Sequence, residues 1–283
     1  PPDPMNPHGQ NWGLTALSSL VLQRHGYAAF LEMLRAQLPL VGGLRLDHVL
    51  GLQRLWLIPS GASAHDGVYV QYPFEALLRL VALESVRHRC LIIGEDLGTV
   101  PPGFRERIAE CGILGLRVLW FERDGDGFVS PSRWSDQAIA TTSTHDLPTV
   151  AGWWRGRDLR WQARLGLLPG DCRMVLRERR RARRALWQCA EREGLAAAAS
   201  MPTRVQSDAV CATAAALIGA SPASLALLPV EDALGLTEQV NIPGTGDEHP
   251  NWRRRLPGAA ETLLGEPLAQ CCLSALAAQR GSR

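Results

Sequence analysis

Three acidic residues each follow a short segment that is typical of the end of a buried strand. Asp47 follows Gly-Leu-Arg-Leu, Glu95 follows Leu-Ile-Ile-Gly, and Asp146 follows Thr-Ser-Thr-His. A carboxylate at such a position is costly to bury unless it has a partner or a chemical task. Retaining glycoside chemistry needs one carboxylate as nucleophile and another as proton donor, about 5–5.5 Å apart. Neighbouring strands are about 4.8 Å apart, so carboxylates at adjacent strand ends can meet that spacing.

Arg45 lies two residues before Asp47. On a strand the two side chains point to the same face, so the guanidinium is expected to stabilise the ionised form that a nucleophile requires. The same pattern also fits an ion pair at a strand end that has only a structural role, because structural pairs perturb carboxylates in the same way. Both interpretations stay open from the residues alone.

The elements that position these residues alternate between strand-like runs and helical stretches, which is typical of a parallel α/β fold. Polar or acidic residues follow the carboxyl ends of most of the runs, where TIM barrels place their catalytic groups. The (β/α)8 TIM barrel is favoured over a doubly wound sheet, because the chain has no G-x-G-x-x-G loop. The predicted strand runs are 43–46, 90–94, 113–121, 138–143 and 224–230, and the predicted helices are 27–38, 74–86 and 104–110.

A mainly helical insertion is predicted over 147–221, between the fourth and fifth strand runs. Its segment Arg173–Glu193 is dense in arginine. A basic helix can contact nucleic acid or a membrane surface. The favoured interpretation is a solvated helix in which Glu178, Glu191 and Glu193 supply partners at i,i+4 spacing.

Composition excludes several classes of protein. All 30 Lys and Arg residues are Arg, and against 28 acidic residues the formal net charge is only +2, which argues against a nucleic-acid footprint. No apolar stretch is long enough to cross a bilayer, and Pro1 opens a segment without the features of a signal peptide. The seven cysteines have no C-x-x-C spacing. Free, mostly buried thiols in a cytoplasmic protein are therefore predicted.

Tryptophan is abundant, with nine residues in the chain. Indole rings pack well on the apolar faces of sugar rings. Trp12 has small and polar neighbours and is predicted to be an exposed platform of this kind, whereas Trp56, Trp120 and Trp187 lie in apolar stretches and are predicted to be in the core.

Five segments, in order along the chain, together resemble the 4-alpha-glucanotransferase family, also called amylomaltase or disproportionating enzyme, of the alpha-amylase superfamily. They are PPDPMNPHGQNWGL (1–14), LRLDHVLGLQRLWLIPSGA (44–62), IIGEDLGTVP (92–101), TSTHDLPTVAGWW (142–154) and NIPGTGDEHPNWRRRL (241–256).

The resemblance implies a retaining double displacement on linear α-1,4-glucans, with a glucan or glucose as acceptor. Asp47 would be the nucleophile, Glu95 the general acid/base and Asp146 the stabiliser of the transition state. The implied substrate-binding residues are Gln10, Trp12, Arg45, His145 and Asn241. No cofactor, metal, nucleic acid or membrane partner is implied, and a cytoplasmic location is expected.

The chain departs from the family pattern at its start. Family members carry three barrel strands before the point that corresponds to Pro1, so we expect about the last five strands of the barrel, with 1–14 as an active-site loop. Two alternatives remain open. The chain could be a glucan-binding fragment without turnover. It could also be a metal-dependent TIM-barrel hydrolase, although it has no H-E-x-x-H motif.

Overall fold

The computed structural model describes residues 1–2, 9–168 and 170–281. The chain forms two compact units, Pro1–Leu116 and Arg117–Arg283, each of which is described by itself. Residues 3–8 of the predicted active-site loop lie outside the described residues, and 9–14 have no regular secondary structure.

The first unit is a mixture of short strands and helices. Its helices are α1 (Ser19–Arg24), α2 (Ala28–Gln37), α3 (Phe74–His88) and α4 (Phe104–Glu110). Its strands are β1 (Gly43–Leu46), β2 (Arg54–Leu57), β3 (Val68–Gln71), β4 (Leu91–Gly94) and β5 (Gly115–Val118), the last of which runs into the second unit.

Strands β1 and β4 position the residues that the sequence singled out. They pair in parallel, with Leu46 opposite Gly94, so that both strands end at the same edge. A further parallel bridge joins Ile93 to Leu114. Apolar side chains of α2, α3 and α4 form the core against β4, and Leu34, Leu38, Leu77, Leu78, Val81, Ile92, Phe104 and Ile108 are almost fully buried.

An antiparallel hairpin of β2 and β3 follows β1 and is absent from the sequence prediction. Trp56 of β2 donates a hydrogen bond through Nε1 to the carbonyl of Ala64, and its ring meets Tyr69 edge-on. Its ring also covers Gly67, where an added Cβ would lie 2.3 Å from Nε1. Trp56 is thus only partly buried in a local contact, and the prediction that it belongs to the main core is wrong.

The second unit contains the helical insertion and the chain's larger core. Its strands are β6 (Arg123–Asp124), β7 (Gly127–Phe128), β8 (Ala138–Thr141) and β9 (Leu225–Leu227). Its helices are α5 (Val150–Arg155), α6 (Arg157–Arg164), α7 (Cys172–Arg192), α8 (Asp208–Ala220), α9 (Val230–Ala233), α10 (Ala260–Leu263) and α11 (Pro267–Arg280).

Strand β8 is central in a three-stranded sheet of order β5-β8-β9, and it pairs in parallel with β9. Helix α8 is rich in alanine and buried on nearly every face, because its small side chains let α11 and α5 approach closely. Trp154 and Trp187 are almost fully buried beside it, as predicted for Trp187. Trp120 packs against this core while staying partly exposed, and its ring stacks on Trp153.

Most predicted elements are present, although several end elsewhere than predicted, and the run 138–143 is a strand only over β8. The run 113–121 is a strand only over β5, because Leu119–Phe121 turns into a 3₁₀ helix. The run 224–230 is a strand only over β9, and Val230 already begins α9. Asp232 is therefore a buried helical residue and not an acidic group at a strand end.

The basic helix also differs from its prediction. Four helices, α5 to α8, lie within 147–221. In the described part of the chain Glu178, Glu191 and Glu193 form no ion pair with an arginine of α7. The prediction of i,i+4 partners is wrong, because none of these glutamates has an arginine four residues away.

All seven cysteines are described and have free thiols, four of them buried, as predicted. Across the described ranges, no helix combines the length and apolarity that a membrane span requires.

Candidate active site

Asp47 and Glu95 lie side by side at the edge where β1 and β4 end. The residues before them, Leu46 and Gly94, are paired, and the Glu95 N–H donates to the Leu46 carbonyl at 2.9 Å. The Val49 N–H donates to the Glu95 carbonyl at 3.0 Å. The backbones are thus joined on both sides of the two carboxylates, and the sequence prediction that they share a strand edge is confirmed.

The two carboxylates have opposite environments. The Asp47 side chain is 74% exposed and accepts a hydrogen bond from Arg45 Nη1 at 2.5 Å. Glu95 is only 9% exposed, and its carboxylate accepts N–H donors from His48 at 3.0 Å and Leu97 at 2.7 Å. Burial raises the pKa of Glu95, and the neighbouring Asp47 charge acts in the same direction, while the backbone donors and Arg45 oppose them. A buried glutamate whose pKa is raised, beside an exposed aspartate that is paired with an arginine, is the arrangement of an acid and a nucleophile.

His48 shapes the turn that follows Asp47. Its backbone is left-handed, with φ 44° and ψ 57°, a conformation that a residue with a Cβ adopts at a cost. The hydrogen bond from its N–H to Glu95 holds this turn in place. Its imidazole meets the Trp12 ring edge-on, with centroids 5.2 Å apart, and burial lowers its pKa. Sequence reasoning gave His48 no role in glucan transfer, although it lies inside the motif.

Trp12 is 56% exposed, as predicted for a sugar platform, and its indole N–H donates to Gln10 Oε1 at 3.1 Å. The structure thus brings Gln10 and Trp12 together with His48, which adjoins Asp47.

In the second unit, Asp146 is held by residues that are distant in sequence. Asn241 donates through Nδ2 to Asp146 Oδ1 at 2.6 Å, and His145 Nε2 lies 3.3 Å from Oδ2. The Asn241 N–H also donates to the His145 carbonyl at 3.0 Å. Three predicted residues of this unit therefore form one half-exposed polar cluster.

Two members of this cluster are missing from the sequence prediction. The exposed indole of Trp252 lies 5.0 Å from the His145 ring, and Gln239 donates through Nε2 to the carbonyls of Asp146 and Asn241. Trp252 lies in the fifth quoted segment, in the sequence Pro-Asn-Trp, where an exposed turn could have suggested a second platform. Gln239 carries no signal that distinguishes it from any other loop glutamine.

Other buried acids have structural partners. Asp96 pairs with Arg105 Nε at 2.6 Å and accepts the Leu116 N–H at 2.7 Å. Glu84 binds Arg35 at 2.7 Å and Arg87 at 3.0 Å, and these hydrogen bonds overcome burial to lower its pKa to about 2. Within the described ranges, no group of three or more His, Cys, Asp or Glu side chains converges as metal ligands do.

A family model described as "4-alpha-glucanotransferase" matches residues 1–261. Among curated relatives, the 4-alpha-glucanotransferase of Haemophilus influenzae is 38% identical over 265 residues, which cover 90% of this chain and 37% of that protein. The 4-alpha-glucanotransferase of Mycobacterium tuberculosis (strain H37Rv) is also 38% identical, over 264 residues that cover 91% of this chain and 36% of that protein.

Solved structures give the same result for the fold. The amylomaltase of Corynebacterium glutamicum superposes with a TM-score of 0.90 at 30% identity, over 98% of this chain and 41% of that one. The amylomaltase of Streptococcus agalactiae, solved in complex with acarbose, superposes with a TM-score of 0.73 over 99% of this chain and 50% of that one. At 19% identity, this second comparison supports only the similarity of the fold. This chain spans little more than a third of the length of the two curated relatives. The family match nonetheless covers almost all of its residues, and the chain belongs to the 4-alpha-glucanotransferase family.

Proposed function

We propose that the protein is a retaining 4-alpha-glucanotransferase, which moves a segment of an α-1,4-glucan to the 4-hydroxyl of another glucan or of glucose. The observation that carries this proposal is the carboxylate pair at the ends of β1 and β4. Asp47 is exposed and ion-paired, while Glu95 is buried and its pKa is raised. The names of the relatives and the family match support the same activity.

The environments of the two carboxylates support the roles that we propose for them. Asp47, which is paired with Arg45, attacks the anomeric carbon and forms a glycosyl ester, while the Glu95 proton passes to the departing glycosidic oxygen. Glu95 is then ionised and removes the proton from the acceptor 4-hydroxyl, whose oxygen displaces Asp47 from the anomeric carbon. The second step restores both carboxyl groups to their starting states.

The remaining assignments rest on the family resemblance together with local geometry. Asp146 is proposed to stabilise the positive charge that develops on the sugar, and its contact with Asn241 fixes the carboxylate for this purpose. His145 and Arg45 are proposed to contact the bound sugar, and Gln10 and Trp12 to contact the acceptor. We further propose that the parallel strands of this chain belong to a (β/α)8 barrel and that the protein works in the cytoplasm.

The role of Glu95 is tested by Glu95→Gln in the protein as its gene encodes it, with maltotriose and maltosyl fluoride as donors. We expect the variant to lose about 10²–10⁴-fold in transfer from maltotriose, the contribution of a general acid. Fluoride leaves without a proton, so Asp47 should still be glycosylated. Peptide mass spectrometry should find the sugar ester on Asp47.

The matched control is Glu106→Gln, which removes an exposed glutamate on α4 and should leave both reactions unchanged. Equal loss of both reactions in Glu95→Gln, or a sugar ester on a residue other than Asp47, contradicts the proposed roles. Hydrolysis without transfer in the unmodified protein contradicts the proposed function itself.

A further inference from the structure

One face of α7 carries a stripe of arginines. Arg177, Arg180, Arg181 and Arg184 follow one another at i, i+3, i+4 and i+7 spacing, which places them on the same side of the helix. All four are exposed. The stripe extends over about 10 Å, since a helix rises about 1.5 Å per residue.

The stripe forms a wall of a cavity of about 360 Å³. The cavity is also lined by Ala185 and Gln188 of α7 and by Asp126 and Gly127 at the turn between β6 and β7. The hairpin packs against α7, so its turn borders the cavity beside the helix, and the cavity stays open to solvent. The lining therefore holds four positive charges and one negative charge.

The four arginines of the stripe form no ion pair within the described part of the chain. Arg179, on the inner face of α7, is paired with Asp158 and also donates to the carbonyl of Trp153. Arg180 of the stripe donates a long hydrogen bond of 3.4 Å to the carbonyl of Leu176 in its own helix. The four neighbouring guanidiniums share the cavity with a single carboxylate, that of Asp126, so a net positive charge remains. Like charges repel one another, and an anion that enters the cavity relieves this repulsion.

We propose that this cavity binds the diphosphate or triphosphate group of a small molecule. Guanidinium groups match phosphate oxygens with paired, charge-assisted hydrogen bonds. A stripe of about 10 Å spans two or three linked phosphates, and the Gln188 amide can donate to a flanking group. The Asp126 carboxylate, at the turn, disfavours an anion that extends past the stripe and so limits the length of the ligand.

A small ligand is favoured over a nucleic acid by the distribution of charge. A nucleic-acid footprint needs a basic face that continues along the polymer. Here the stripe borders an acidic turn residue, and the formal net charge of the whole chain is only +2. The cavity is also concave, as sites for small molecules are, and its volume is within their usual range of about 300–1,000 Å³.

The test is isothermal titration calorimetry of the protein with sodium tripolyphosphate and with pyrophosphate at about 0.1 M salt. We expect saturable binding at one site and a loss of at least about tenfold in affinity for the double variant Arg177→Gln/Arg181→Gln. Arg160→Gln removes an exposed arginine of α6 outside the cavity and should change the affinity less than about twofold. Circular dichroism shows whether each variant is folded, and Arg184→Gln provides a second variant of the stripe.

Absence of saturable binding, or equal affinity in the stripe variants and in Arg160→Gln, overturns the proposal. Binding of a 12-mer RNA in a strongly salt-dependent manner, with no response to tripolyphosphate, also overturns it and indicates a nucleic-acid surface. These outcomes are independent of the proposed transfer reaction, because the titrations contain no glucan and change no residue at the ends of β1 and β4.

Discussion

At the scale of single residues, two carboxylates on adjacent strand ends differ because of what surrounds them. Asp47 is open to solvent and faces a guanidinium, while Glu95 is enclosed and receives two backbone N–H donors. The residue types and their places after apolar runs were predictable from the sequence. The burial of Glu95 was not, because it depends on the turn through His48, whose left-handed backbone no local pattern signals.

The charges around Glu95 give a prediction that does not require turnover. Arg45 lowers the pKa of Glu95 and Asp47 raises it, although burial is the largest influence. Arg45→Gln should therefore raise the pKa of Glu95 further, and Asp47→Asn should lower it. A ¹³C NMR titration of the side-chain carboxyl groups, with Glu95→Gln used to assign the signal, measures both shifts.

Arg79→Gln is the control, because it removes an exposed arginine of α3 that does not influence Glu95. Shifts of the same sign in Arg45→Gln and Asp47→Asn would show that the three side chains do not interact as the structure describes.

In an active protein, the basic limb of the pH profile of kcat/KM should move to higher pH in Arg45→Gln, since Glu95 then keeps its proton to higher pH.

At the scale of elements, a strand with two buried faces was predictable because it is an unbroken apolar run, and β8 is of this kind. The apolar run of β4 was also predictable, although Leu91 on one of its faces is exposed. The β2–β3 hairpin was missed because its strands are half-exposed and separated by a long loop without a two-residue turn signal. The end of β9 was misplaced because the chain stays apolar through Val230, where α9 begins. Periodicity alone does not separate the end of a strand from the first turn of a helix.

Asp232 of α9 connects three elements and gives a prediction about pH and stability. It accepts a hydrogen bond from Thr142 Oγ1 at 2.5 Å, after β8, and one from the Val150 N–H at 2.6 Å, at the start of α5. Burial raises its pKa to about 6. A carboxyl whose pKa is higher in the folded state favours folding below its unfolded pKa, near 4, and loses this contribution as the pH rises through about 6.

Asp232→Asn should remove this pH dependence. Relative to the wild type, the variant should gain about 2 kcal/mol in free energy of unfolding between pH 4 and pH 7, since about two pKa units separate the folded and unfolded states. Urea unfolding at several pH values measures the difference. Glu266→Gln, an exposed change in the same unit, should show no such gain, and a pH-independent difference for Asp232→Asn would contradict the shift.

At the scale of the whole molecule, composition predicted the absence of a large basic face but not where the charge is placed. The net charge is small, yet α7 gathers unpaired arginines on one face. The sequence showed the density of arginine in this helix. It could not show that the β6–β7 turn lines the same cavity as these arginines, because that proximity joins residues about fifty positions apart.

The strand edges give the last prediction. Among the described strands, β1 pairs only with β4, and β9 only with β8, so each has one edge without a strand partner. Leu225 and Leu227 of β9 are 39% and 53% exposed. Unpaired edges with exposed apolar side chains are templates for association between chains.

We therefore expect these 283 residues, expressed alone, to self-associate and to bind an apolar dye. Leu225→Lys/Leu227→Lys should reduce both effects, as measured by light scattering and dye fluorescence, because charges on an edge strand prevent its pairing. Leu256→Lys, which changes a similarly exposed leucine outside the strands, is the matched control and should have little effect. A monodisperse monomer without dye binding, or equal effects of the edge and control variants, would show that these edges are covered in solution.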